Sequence, residues 1–181
     1  MSGADFVACA LACHPDSPAT AVRGVSAGVR SAADGALALR FELHGDIARI
    51  EVPALSGPER RDGLWRHTCF ECFVRAETQA YLELNFSPSR EWAAYAFRDY
   101  RDAAALPAAF DPGIAVKREA ELLVLTATVP ATALTLTAGA RVRIGLSAVV
   151  EEISGAVSYW ALRHAPGKPD FHHPDAFALT L

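Results

Sequence analysis

The residues best equipped for chemistry fall in two stretches. The first runs Trp65-Arg66-His67-Thr68-Cys69-Phe70-Glu71, then Tyr81-Leu82-Glu83-Leu84-Asn85-Phe86, then Trp92-Ala93-Ala94-Tyr95. Carboxylates and amides satisfy paired hydroxyls while aromatic rings cover the apolar faces of a sugar, so Trp65, His67, Glu71, Glu83, Asn85 and Tyr95 would together suit a polyhydroxylated ligand. The second stretch, Tyr159 to Asp175, concentrates three of the six histidines with two cations and three prolines. Its prolines lower the entropy lost on fixing a loop, which makes Arg163, His164, Lys168 and His172 candidates for holding an anionic or hydroxylated group at a rim.

Other chemistries can be weighed on the same residues. Glu71 and Glu83 could pair as in a glycosidase, but no covering loop or deep cleft is evident, so binding without catalysis is expected. His67, Cys69 and Glu71 mix nitrogen, sulfur and oxygen in a way that matches no common metal site. Cys9, Cys13, Cys69 and Cys72 could supply four thiolates to zinc, yet Cys69 and Cys72 would leave a strand on opposite faces. Reduced thiols, no metal and no cofactor are the expectation. The alternative is a haem or metal protein using His164, His172 or His173.

These residues need strands to position them. Alternation of period two recurs along the chain: Leu37, Leu39, Phe41 and Leu43 would share a face, as would Leu123, Leu125, Ala127 and Val129, and again Val142, Ile144, Leu146, Ala148 and Val150. Phe177, Leu179 and Leu181 close the chain in the same manner. After the Gly45-Asp46 turn, Ile47 to Val52 reads as a hairpin partner for Ala36 to His44. Alternation taken from Trp65 onward sets Trp65, His67, Cys69 and Glu71 on one face; Glu71 would lie across from Glu83, and Glu83 beside Tyr95, depending on the turns between them. Asp102 to Ala109 is cut by Pro107, and Val129 to Leu134 could form one helical turn at most. The pattern predicts an all-β, antiparallel β-sandwich of jelly-roll or immunoglobulin-like kind, with roughly ten strands and at most short helical turns, over residues 1–181 as a single domain.

Composition excludes several partners. The 181 residues are 51% hydrophobic, but 36 are alanine, so the share of large apolar side chains is ordinary. A formal charge of -4 with mixed signs offers no basic stripe for nucleic acid, and no apolar run reaches the length that spans a bilayer. The start carries no basic segment before the apolar stretch Phe6 to Cys13, so a cytoplasmic location is expected. Protein partners are left undetermined, and an interaction module docking through a strand edge stands as a third reading.

The segments Gly63-Leu64-Trp65-Arg66-His67-Thr68-Cys69-Phe70-Glu71, Tyr81-Leu82-Glu83-Leu84-Asn85-Phe86-Ser87-Pro88-Ser89 with Glu91-Trp92-Ala93-Ala94-Tyr95, and Pro166-Gly167-Lys168-Pro169-Asp170-Phe171-His172-His173 resemble bacterial DOMON-like domain proteins. That branch lies near family 9 carbohydrate-binding modules, and the likeness runs from the His14-Pro15-Asp16 region to the final strand. It implies a β-sandwich module that binds a sugar or haem and is not an enzyme. Glu71 with Phe73, and Tyr81 with Glu83, fall where family 9 modules show similar pairs. Haem ligation by methionine and histidine is excluded, since the one methionine is Met1. The expected ligand is a small carbohydrate or a sugar-derived metabolite.

Overall fold

In the computed structural model, which describes residues 6–106, 110–134 and 141–181, the chain forms antiparallel strands throughout. Among the described residues there are twelve: β1 Val7–Cys13, β2 Val22–Ser31, β3 Leu37–Gly45, β4 Cys69–Arg75, β5 Tyr81–Phe86, β6 Trp92–Asp99, β7 Asp102–Ala104, β8 Gly113–Arg118, β9 Leu122–Val129, β10 Arg143–Glu151, β11 Val157–Ala161 and β12 Leu179–Thr180. One helical turn, α1, spans Ala131–Leu134, within the segment where a single turn was expected. Residues 107–109, at the end of the Asp102 to Ala109 stretch, lie outside the described residues.

The strands build a sandwich. One layer has the order β8-β9-β3-β2-β1 and the other β11-β10-β4-β5-β6-β7. β1 joins them: Val7 to Leu11 pair with β2, while Ala12 and Cys13 pair with β11. β12 continues the line of β11 along the same side of β10. Alternation supplies the filling, because every second residue of β2, β3 and β9 meets every second residue of β4, β5 and β10. Phe41 of β3 stacks on Phe70 of β4 with ring centroids 5.1 Å apart, and both rings are fully enclosed.

Two sequence expectations are overturned. Ile47 to Val52 is no hairpin partner of β3: Ile47–Arg49 form a 3-10 turn, and β3 pairs with β2 and β9 instead. Ile47 and Ile50 are both buried at a spacing of three, which a helical turn satisfies and an alternating strand does not. Alternation also fails before Cys69, because Leu64–Arg66 turn as a 3-10 helix entered through Gly63 in the left-handed conformation. Only from Cys69 onward do side chains alternate, with Cys69 facing away from the sandwich core and Cys72 packing into it.

The outer face of the second layer does not meet open solvent. After Ala161 the chain leaves β11, crosses that face and returns as β12 beside β10. Gly145 makes the close crossing feasible, since a Cβ there would lie 3.2 Å from the Ala176 carbonyl oxygen and 3.3 Å from the Phe73 Cβ. Phe177 is drawn into this outer cluster with Phe73 and Tyr81, apart from the sandwich core that Leu179 and Leu181 touch.

Candidate functional site

The covered face encloses a cavity of about 590 Å³, within the range of small-molecule sites. Its floor is set by strand register. Glu71 of β4 stands between Ser147 of β10 and Asn85 of β5, and Glu83 of β5 stands between Phe73 of β4 and Tyr95 of β6. Glu71 is therefore across from Asn85, two residues along β5 from the expected Glu83, while the expected Glu83–Tyr95 pairing is present. Phe73 and Phe97 follow on the same face, and Tyr159 and Phe171 contribute further rings. Trp65, 48% exposed, stands at the mouth.

Both floor carboxyls are buried. Ser147 Oγ donates to Glu71 Oε2 at 3.3 Å, and Asn85 Nδ2 donates to Glu83 Oε1 at 2.9 Å. Burial pushes the Glu71 carboxyl well above the usual range, and its neighbour Glu83 adds to the push. Burial raises Glu83 as well, against the Asn85 hydrogen bond and the Arg101 charge. The two interact, so protons leave them as a pair. The Oδ1 of Asn85 is buried and has no hydrogen-bond partner among the described residues.

The loop side of the cavity is held by a relay. The Arg101 backbone N–H donates to the Tyr81 hydroxyl at 3.1 Å, and that hydroxyl lies 2.8 Å from His172 Nδ1. With Tyr81 donating, His172 is neutral and carries its proton on Nε2, which faces Glu83 Oε2 at 3.5 Å. Burial, helped by the Arg101 charge, lowers the His172 pKa to about 4, in keeping with that form. Arg101 pairs with Asp170 at 2.9 Å, and Tyr100 donates to the same carboxylate at 2.7 Å. Arg101 takes a left-handed φ of 54° at the β6–β7 turn, a conformation that costs a non-glycine residue about 1 kcal/mol.

Of the ten candidates, Trp65, Glu71, Glu83, Tyr95, Lys168 and His172 come together around the cavity. The other four do not line it. Asn85 is wholly enclosed and acts through Glu83. His67 lies 2.7 Å from Glu151 Oε2 and borders a separate cleft, because the 3-10 turn before it breaks the expected alternation. His164 donates through Nε2 to the Ala12 carbonyl at 2.8 Å and sits edge-on to His14 at 4.8 Å, so it pins the loop to β1. Arg163 is exposed.

The three histidines proposed for haem each have a different protein partner: His164 the Ala12 carbonyl, His172 the Tyr81 hydroxyl, and His173 the Asp175 N–H that it caps. Among the described residues no three metal-ligating side chains form a cluster. Sequence reasoning missed Phe97, Arg101, Tyr159 and Phe171, and reached Phe73 only through the family 9 resemblance. Phe73 and Phe97 share the parity of Glu71 and Tyr95 and could have been read from alternation, whereas the rest depend on a turn, a sheet register and a loop path.

No protein-family model matches the sequence, and no curated protein does. Among solved structures, the chain is similar to a "putative carbohydrate-binding protein" of Bacteroides uniformis ATCC 8492, with a TM-score of 0.65 over 94% of this chain and 83% of that one. At 13% identity the likeness is one of fold.

Proposed function

We propose that this chain is a non-catalytic binding protein for a small carbohydrate or sugar-derived metabolite, held in the cavity over β4, β5 and β6. The observation that carries the reading is the presence of two buried carboxyls, Glu71 and Glu83, at the floor of an aromatic-walled cavity of about 590 Å³. A buried carboxyl that is protonated both donates and accepts, as a sugar hydroxyl does, so reciprocal hydrogen bonds are available at the floor. Phe73, Phe97, Tyr159 and Phe171 offer ring faces and edges for the C–H surfaces of the sugar. The DOMON-like resemblance and the fold shared with the Bacteroides protein lend support from outside the site.

Binding asks only for hydroxyl partners and ring faces, which the cavity supplies, whereas hydrolysis would also need one carboxyl set as acid and the other as base or nucleophile about a scissile bond. Calorimetry and a glycan array with mono- and oligosaccharides test the proposal. Binding is expected for the wild type and should weaken at least about tenfold on Glu83→Ala or Tyr95→Ala, the scale of a lost buried hydrogen bond or ring contact. Silence across the whole panel would overturn it.

A further inference from the structure

The cations around the cavity are unevenly partnered. Arg101 is matched by Asp170 at 2.9 Å, and His172, 2.8 Å from the Tyr81 hydroxyl, is kept neutral by burial, which lowers its pKa to about 4. The two floor carboxyls are raised by burial toward their neutral forms. Lys168 also lines the cavity, and it has no carboxylate within salt-bridge distance among the described residues. At the mouth Arg66 lies over Trp65 at 5.2 Å and likewise forms no ion pair among the described residues, whereas Arg60 is matched by Asp62 at 2.9 Å.

Lys168 is also fixed at its root. The Gly167 carbonyl, just before it, lies 3.0 Å from His14 Nε2 and accepts its proton. Two residues after it, Asp170 is gripped by Tyr100 and Arg101. Pro166 and Pro169 stiffen the chain on either side. The backbone is thus pinned at both ends while the residue remains exposed, so little backbone freedom is lost when its ammonium meets an anion on a ligand.

We propose that the sugar recognised here carries one anionic group, a carboxylate as in a uronic acid or a phosphate as in a sugar phosphate, which pairs with Lys168 at the mouth while hydroxyls meet Glu71 and Glu83 below. The inference rests on the carbohydrate reading and adds a charge to its ligand. Such a ligand reaches the floor with its hydroxyl-bearing face and keeps its anion away from the two buried acids. An ammonium is the donor here, so it discriminates by charge and leaves the choice between carboxylate and phosphate to the shape of the mouth.

Calorimetry separates the outcomes. D-Glucuronate, D-galacturonate and D-glucose 6-phosphate are titrated against D-glucose and D-galactose, at about 50 mM and about 500 mM NaCl. The proteins compared are the wild type, Lys168→Met, which keeps the stem, and Lys168→Arg, which keeps the charge. At low salt the wild type should bind at least one anionic sugar about tenfold tighter than its neutral parent, the scale of one charge-assisted contact. That preference should fall below about threefold in Lys168→Met and at high salt, and return in Lys168→Arg. Which anion is preferred tells a uronic acid from a sugar phosphate. Equal affinity for neutral and anionic sugars, or a preference that survives Lys168→Met, overturns this inference and leaves the carbohydrate reading standing; no binding of any of the five overturns this inference, and silence of the wider mono- and oligosaccharide panel as well overturns both.

Discussion

Glu71 shows how the site weighs on the fold at the scale of one residue. The residue is 2% exposed and its carboxyl meets one donor, Ser147 Oγ, at 3.3 Å, so ionising it strands a charge beside Glu83. The folded protein therefore keeps a proton that the unfolded chain gives up near the ordinary glutamate value of 4.5. Between that value and the raised one the native state binds more protons, and stability falls as pH rises through the window. Glu71→Gln keeps an acceptor for Ser147 and removes the titration. The variant should match the wild type in Tm near pH 4 and exceed it increasingly toward pH 8. His172 works in the opposite sense, since its lowered pKa makes stability rise with pH between about 4 and 6.5, but it is common to both proteins and drops out of the difference. A Tm difference that does not grow with pH would show that Glu71 ionises in the fold without penalty. A buried acid with one weak partner is what a binding site needs and a core does not, which is why this residue is the first place to look for a trade between stability and function.

Among the elements, the segment from Leu162 to Ala178 decides whether the outer face of β4, β5 and β6 is a surface or a cavity. It lies down because β10 presents Gly145 beneath Ala176, opposite Phe73. Gly145→Val should lift the Ala176–Phe177 crossing, loosen the Phe177 contact with Phe73, now 6.0 Å between centroids, and cost about 1–3 kcal/mol by overpacking. Limited proteolysis should then cut between 162 and 178 faster than in the wild type; unchanged cleavage and an unchanged Tm would mean the segment is held elsewhere. The strands themselves were legible in the sequence. Leu37, Leu39, Phe41 and Leu43 alternate in β3 as they do in the chain, because a one-sided buried strand requires it. Glu71, Glu83 and Tyr95 could be placed on one face for the same reason. Their pairing could not: the 76–80 turn sets Arg75 opposite Tyr81, and with it Phe73 rather than Glu71 opposite Glu83. Trp65 reaches the cavity mouth through a 3-10 turn and not through strand parity, and His67, one turn further on, is lost to Glu151 for the same cause. The path of the closing segment was hidden as well, since it depends on long-range anchors such as the His164 bond to Ala12 and the Asp170 pair with Arg101.

At the scale of the molecule, the site sits on a platform that must hold its register, and the platform is held by the contact between layers. No helix among the described residues is long and apolar enough to cross a membrane, and the strand at one margin, β8, carries Lys117 and Arg118, charges that discourage pairing with another chain along that edge. Behind Glu71, the inner face of the same strand packs against the other layer. Phe70, next to Glu71 in β4, stacks on Phe41 of β3 at 5.1 Å with 27° between planes, and neither ring is reached by solvent. Each replacement by alanine should cost about 3–5 kcal/mol in urea unfolding, from lost transfer energy and the cavity left behind. The two rings also stabilise each other, so Phe41→Ala with Phe70→Ala should cost less than the sum of the singles by about 0.5–1.5 kcal/mol. Because Phe70 fixes the strand whose next residue is Glu71, Phe41→Leu, which keeps the layers together, should leave sugar affinity within about twofold, the scatter of a mild core substitution. Strictly additive alanine costs would mean that the layers are joined by general burial across the whole interface and that this ring pair holds no special place in it.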